Sequence, residues 1–319
     1  MARKIDRRRF IRIAAVVGAV AATAGLPFSF ASAKIPHYRW RGVALGAKSE
    51  IVIASEDIEI AKRMVERAVA EIRRLEKEFS LYQDGSALTR LNQDGYLAAP
   101  SMDMVRLLAA ADESFTATGG AFDATVQPLW TLYSDGKMPS SEQVKRVRDL
   151  VGWAGVRFDQ RRVTLAKKGM GLTFNGIGQG YVTDRVADLL KRMGADHVLL
   201  NLGEARAIGG RGDGTAWQVG LEDQQNPSGF DRLVGLRDMA LATSAVTPGF
   251  SHLFDPRDPE QGPRFTRVSV LAKTATVADA LSTGLCFMPE EQIERCLQKA
   301  GAERAILKRS NGSTIDISA

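Results

Sequence analysis

Three short stretches of this 319-residue chain carry residue types whose spacing suits chemistry. In Asn175-Gly176-Ile177-Gly178-Gln179-Gly180-Tyr181, glycines at alternate positions let the backbone turn tightly and approach a ligand with no Cβ in the way. A helix starting there would aim amide protons at an anion, naturally a phosphate. The alternative is a structural glycine turn; the spacing is not that of the dinucleotide fingerprint. In Asp279-Ala280-Leu281-Ser282-Thr283, Asp279 and Thr283 stand four apart and share one helical face. Carboxylate and hydroxyl are hard oxygen donors, suited to Mg²⁺ with phosphate oxygens completing its shell. An acid in an otherwise apolar helix is costly unless paired or metal-bound. A cap or salt bridge for Asp279, with Thr283 idle, is the competing reading. The third stretch is Ser251-His252-Leu253-Phe254-Asp255-Pro256-Arg257. There His252 can act as a base or hold a phosphate, with Asp255 orienting it or ordering the loop, or His252 can be a structural hydrogen-bonder.

Several chemistries lack their residues. No Gly-x-Ser-x-Gly elbow anchors a serine-hydrolase triad. With only His37, His197 and His252, a histidine-rich zinc or haem centre is not expected. Cys286 and Cys296 lack metal-site spacing. Cys286 reads as a buried apolar thiol, with a disulfide in an oxidising compartment as the alternative.

The elements that must position these stretches follow from periodicity. Residues 42 to 54 alternate loosely and end in a strand, Ile51 to Ala54. Asp57 can cap a helix whose apolar face is Ile58, Ala61, Val65, Ala68, Ile72, Leu75 and Phe79. Further helices are expected near 102 to 117, 141 to 151, 275 to 287 and 290 to 300, and one through Val182, Val186, Leu189 and Leu190. Strands are expected around Val163, Leu165 and Leu172, and near 197 to 202, 217 to 221, 239 to 243, 266 to 271, 304 to 308 and 313 to 317. Helices and strands interleave without a βαβ period or a repeat, so the class is α+β, or mixed α/β, with no linker dividing residues 34 to 319.

Residues 1 to 33 read as a leader. Asp6-Arg7-Arg8-Arg9-Phe10-Ile11-Arg12 precedes an apolar run from Ile13 to Leu26 and the small-residue site Ala31-Ser32-Ala33. That order predicts an export signal, and the paired arginines suggest the twin-arginine route to the periplasm. The apolar run is too short to span a bilayer comfortably, so no membrane span is expected after its removal. Without a cysteine at the cleavage site, lipoprotein attachment is not expected either. The leader also holds six of the 43 basic residues and one of the 37 acidic ones, leaving 37 against 36 and a net charge of +1. Nucleic-acid binding, suggested by the overall +6, loses its footing.

Taken in order, Phe79-Ser80-Leu81-Tyr82, Ser86 to Asn92, Thr118-Gly119-Gly120-Ala121-Phe122-Asp123, Asn175 to Tyr181, Asn201-Leu202-Gly203, Ala242-Thr243-Ser244, Ser251 to Arg257 and Ala278 to Thr283 form a series that resembles the FAD:protein FMN transferase (ApbE) family. The likeness runs from about residue 40 to 317 and looks most like the exported NosX-type members associated with nitrous oxide respiration. It implies an ApbE-like flavin transferase fold with mixed sheets and flanking helices. It also implies Mg²⁺-dependent transfer of FMN from FAD to a Thr or Ser hydroxyl of an acceptor flavoprotein, membrane-associated in the NosX case, with a phosphoester formed and AMP released. By the family pattern Asp279, Thr283 and the Gly176 carbonyl hold the metal. Leu45, Tyr82, Ala121, Phe122, Asp123, Thr173, Gln179, His252 and Leu253 line the FAD site, and His252 and Asp279 are the catalytic pair.

The chain departs from the pattern in places. Thr173 stands where many members have an acid, Gln179 where lysine or glutamate is usual, and Ala245 where glycine is usual. Those departures leave two rivals: a non-catalytic FAD-binding or delivery protein, and a metal-dependent FAD pyrophosphatase.

Overall fold

The computed structural model describes residues 11–13, 35–134, 139–222, 229–246 and 253–319. Of the segment read as a leader, only the strand β1 (Ile11–Ile13) falls within them. Strands β2 (His37–Ala44) and β3 (Ala47–Ala54) form a hairpin that turns at Leu45 and Gly46, both at positive φ. Helix α1 (Ile58–Phe79) is capped as expected, the Asp57 carboxylate accepting from the Ile60 amide at 3.0 Å. Its buried face matches the predicted stripe except at the first turn, where Ile58 is exposed and Met64 takes part instead.

Next come α2 (Ala87–Asp94), β4 (Tyr96–Ala98), α3 (Met102–Ala117), α4 (Gln127–Tyr133), α5 (Ser141–Arg148), β5 (Val156–Phe158) and β6 (Arg162–Leu165). Leu172, expected in a strand, lies instead in the buried loop before α6. Helix α6 (Gly178–Arg192) is followed by β7 (Val198–Asn201), β8 (Ala205–Ile208), β9 (Trp217–Glu222), β10 (Phe230–Leu236), β11 (Ala240–Ala245) and β12 (Arg267–Ala272). The chain finishes with α7 (Ala275–Gly284), α8 (Glu290–Ala300), β13 (Ala302–Lys308) and β14 (Thr314–Ser318). The helix expected to run to residue 287 ends at Gly284, and its last turn tightens into a 3-10 turn at Leu285–Phe287.

Eight strands form the central sheet in the order β14-β13-β12-β11-β8-β7-β3-β2, flanked by two three-stranded sheets, β1-β9-β10 and β4-β6-β5. The mixed α/β class holds. The sheets, expected to be mixed, are antiparallel in every pairing among the described strands. Both faces of the central sheet are buried, and alternation along its strands separates them. Ile51, Ile53, Val198 and Leu200 face the core beneath α1 and α6, whereas Val52 and Leu199 face Trp217, Val219, Val234 and Leu236 of the small sheet. A further core joins α7 and α8 to β12 and β13, and both cysteines are buried in it as free thiols. Burial pushes the Cys286 thiol up to about 12, so it is an inert packing group.

Helix α6 is held from a third side by a polar knot. The Asp103 carboxylate on α3 accepts from Tyr181 Oη at 2.8 Å and Arg74 Nη2 at 2.6 Å, with Arg185 Nε at 3.2 Å. Burial opposes its ionisation, but the bonds from Arg74 and Tyr181 and the two guanidinium charges outweigh that and hold the carboxyl below its usual range. A group depressed on folding contributes stability above its unfolded pKa and loses it as pH falls through the folded one. Asp103→Asn is therefore expected to cost about 1–3 kcal/mol at pH 7, the scale of hydrogen bonds to a charged group. Urea midpoints should show that deficit shrinking below roughly pH 4, where the carboxyl of the unfolded chain protonates. An equal deficit at pH 7 and pH 2 would assign the loss to packing.

Candidate active site

The glycine run ends in the first turn of α6, and each glycine there is a point of close approach. A Cβ on Gly176 would stand 2.8 Å from Thr283 Oγ1, and one on Gly180 would collide with the Ala275 carbonyl oxygen. Only bare backbone lets α6 and α7 come this near. Across the seam the Asp279 carboxylate, 5 % exposed, accepts from the Gly180 amide at 3.0 Å. Thr283 lies one turn further along α7, its Oγ1 3.2 Å from Ser244 Oγ on β11, which also meets Ser282 Oγ at 2.9 Å. Gly176, Asp279 and Thr283, 103 or more residues apart from the glycine to the helix, are thus brought together where the end of β11 meets the α6–α7 seam.

Thr118 to Asp123 wraps the C-terminal end of α7. A Cβ on Gly284 would crowd Thr118 Cγ2 at 2.9 Å and Phe122 Cβ at 3.1 Å. Thr173 joins this loop, its amide donating to the Ala124 carbonyl at 2.8 Å. Phe122 thus borders the end of α7, Ala121 and Asp123 flank it in sequence, and Thr173 is bonded to the same loop. Asp123 is buried and bound within the loop: Oδ1 accepts from the Thr125 amide and hydroxyl at 2.7 Å each, and Oδ2 from the Trp153 amide at 3.1 Å. Burial raises its pKa against the pull of those bonds. Leu45 lies in the β2–β3 turn and Tyr82 just past the end of α1. The Leu45 amide donates to Glu76 Oε1 at 2.7 Å, and Phe79 packs edge-on to Phe174 and Tyr181 beside the glycine run. Of the two aromatic platforms expected for a flavin, Tyr82 is 70 % exposed, while the Phe122 ring is packed in the core.

Gln179 is the least expected member of the site. Its side chain is buried beneath the Asn201-Leu202-Gly203 turn, where a Cβ on Gly203 would strike the carboxamide. Neither carboxamide atom has a hydrogen-bond partner within the protein. Buried amides are seldom left so. His252 lies outside the described residues. Leu253, the next residue, packs against the α7–α8 core. Asp255 orders its loop: it accepts from the Arg257 amide at 3.0 Å and from the Arg257 guanidinium at 2.9 and 2.8 Å, and Arg257 and Arg264 both donate to the Phe287 carbonyl.

Among the described residues no group of three or more His, Cys, Asp or Glu is placed to hold a metal. The seam offers something else: one carboxylate and one hydroxyl beside the Gly176 backbone, all sources of hard oxygen donors. That set fits Mg²⁺, which takes few protein ligands and keeps room for phosphate oxygens, better than a soft or histidine-bound metal. Two residues that sequence reasoning missed build the seam. Asp184 reads in the sequence as an ordinary helix-surface acid, and Arg206 as one charge in a short apolar strand. Both are buried.

The family model described as ApbE matches residues 45–307, spanning every element of this site. The chain belongs to the ApbE family. The FAD:protein FMN transferase of Haemophilus influenzae is 28 % identical over 274 residues, covering 77 % of this chain and 79 % of that one. The crystal structure of the Pseudomonas stutzeri flavinyl transferase ApbE, apo form, superposes with a TM-score of 0.75 at 28 % identity, over 89 % of this chain and 96 % of that one. The ApbE protein of Thermotoga maritima superposes at 0.79 with 24 % identity over 88 % and 97 %, and supports the fold alone.

Proposed function

We propose that this ApbE-family chain is an enzyme that transfers the FMN moiety of FAD to a Thr or Ser hydroxyl of a partner flavoprotein, forming a phosphoester and releasing AMP. The observation that carries this reading is the meeting of Gly176, Asp279 and Thr283 at the α6–α7 seam. Those three would hold Mg²⁺, which when bound neutralises the pyrophosphate and makes its phosphorus more electrophilic. The acceptor oxygen attacks the FMN phosphorus, the bond to the AMP oxygen breaks, and AMP leaves with that oxygen. His252 is assigned the acceptor's proton, as base or positioning group. Tyr82 offers an exposed ring to the isoalloxazine, and the orphaned Gln179 carboxamide a donor and an acceptor to the same molecule. Leu45, Ala121, Phe122, Asp123, Thr173 and Leu253 complete the FAD-lining set.

On the reading of residues 1–33 as a twin-arginine leader, the reaction belongs to the periplasm and residues 34–319 are the transferase unit. The NosX-type likeness makes the membrane-associated regulator of nitrous oxide reduction the first acceptor to try. No helix among the described residues is long and apolar enough to cross a membrane.

Chromatography of FAD incubated with the protein, with and without Mg²⁺ and with and without an acceptor, separates the readings. AMP appearing only when Mg²⁺ and acceptor are both present supports transfer. FMN and AMP without acceptor would make the protein a pyrophosphatase, and bound but intact FAD under every condition would make it a carrier.

A further inference from the structure

The two helices that carry the proposed metal ligands exchange caps. Asp279 of α7 accepts the Gly180 amide in the first turn of α6. In return Asp184, one turn further along α6, accepts the Ala275 amide at 2.8 Å, the Thr276 amide at 2.8 Å and the Thr276 hydroxyl at 2.5 Å, all in the first turn of α7. Arg206 of β8, also buried, pairs with Asp184 at 2.5 Å and ties the carboxylate to the central sheet. Asp184 thus spans a helix start, a neighbouring helix and a strand. Amides at a helix start have no partner within their own helix, and a buried anion there satisfies them and complements the helix dipole. Thr274 caps only the Val277 amide, at 3.4 Å, and the bonds from the Ala275 and Thr276 amides to Asp184 complete the helix start. They also give a fixed rotation and height of α7 relative to α6.

We infer that Asp184 is a positioning residue for the divalent-cation site, setting the register of α7 so that Asp279 and Thr283 meet the Gly176 carbonyl. The inference rests on the functional reading above. A residue of this kind acts on cation affinity before it acts on binding of the organic substrate. Groups that orient metal ligands without touching the metal are typically worth about 10–100-fold in metal affinity or activity.

The test is calorimetric titration of Mg²⁺ into the full protein saturated with FAD, for wild type, Asp184→Asn and Thr276→Val, with FAD affinity measured separately in the absence of Mg²⁺. Asp184→Asn should raise the Mg²⁺ half-saturation about 10–100-fold and change FAD affinity less than about twofold. Thr276→Val, which loses one of the bonds and keeps the carboxylate, should shift it in the same direction by a smaller factor. Excess Mg²⁺ should restore turnover of Asp184→Asn toward wild type, as expected for lost ground-state binding rather than lost chemistry. An unchanged Mg²⁺ half-saturation alongside a lowered melting temperature would make Asp184 a structural cap only and overturn the inference. If Asp184→Asn does not fold, Thr276→Val decides: no shift overturns it. Wild type that takes up FAD but no Mg²⁺ would instead overturn the functional reading itself.

Discussion

Asp279→Ala is expected to lower FMN transfer by about three orders of magnitude, because it removes the one carboxylate in the donor set. Electrostatic stabilisation by a bound cation is worth several kcal/mol, and about 4 kcal/mol corresponds to a thousandfold in rate. The alanine variant also loses the bond to the Gly180 amide, so Asp279→Asn is the cleaner companion. Asparagine keeps an oxygen for that amide while losing the charge and exchanging the other oxygen for an NH₂ group. Both variants should be inactive in a single-turnover assay with FAD, Mg²⁺ and acceptor, and Asp279→Asn should melt close to wild type. Transfer by Asp279→Asn at a wild-type rate would remove the carboxylate from the chemistry and leave it as a cap.

Gly180→Ala should be among the more damaging single methyls at the described glycines. Its Cβ would collide with a backbone carbonyl, which cannot rotate away as a side chain can. Either α7 moves off α6 or the seam strains, and overpacking of this kind typically costs about 1–3 kcal/mol. At roughly 2–4 °C of Tm per kcal/mol for a large domain, a fall of about 2–12 °C is expected. Activity should fall further than stability, since moving α7 displaces Asp279 and Thr283 together. Gly262→Ala is the control: nothing lies within 4 Å of its Cβ position, and the variant should match wild type in melting and in transfer. Equal behaviour of the two variants would show that the seam tolerates separation.

Long, strongly periodic segments were legible in the sequence. Helices α3 and α8 fall where their apolar spacing and flanking residues place them, and α1 begins at the cap that Asp57 announces. The strand expected at Ile51 to Ala54 is the end of β3, and the loosely alternating residues before it hide a hairpin turn, because nothing in Leu45-Gly46 looks like a favoured turn and Leu45 has to adopt positive φ. Strand β8 and helices α2 and α4 are short, and tertiary pairing rather than local pattern creates them. At the site, the glycine run and the Asp279–Thr283 pair were visible by spacing. Their contact was not, since it depends on Gly180 meeting Ala275 across the seam. Asp184 carried no local signal at all: its partners lie 22 residues away at Arg206 and 91 residues away at Ala275. Of the two readings of Asp255, loop ordering has bonds behind it, because Arg257, two residues on, supplies three donor bonds, while His252 lies outside the described residues.

The central claim is that a seam of one carboxylate, one hydroxyl and one carbonyl supports transfer of a flavin phosphate to protein. Intact-mass spectrometry of an acceptor flavoprotein incubated with FAD, Mg²⁺ and this chain tests it most directly, with fragmentation to locate the modified residue. The account predicts one added FMN on a single Thr or Ser, absent without Mg²⁺ and absent with Asp279→Asn. An acceptor left at its unmodified mass by well-folded, FAD-loaded wild type, or one labelled equally by Asp279→Asn, would contradict it.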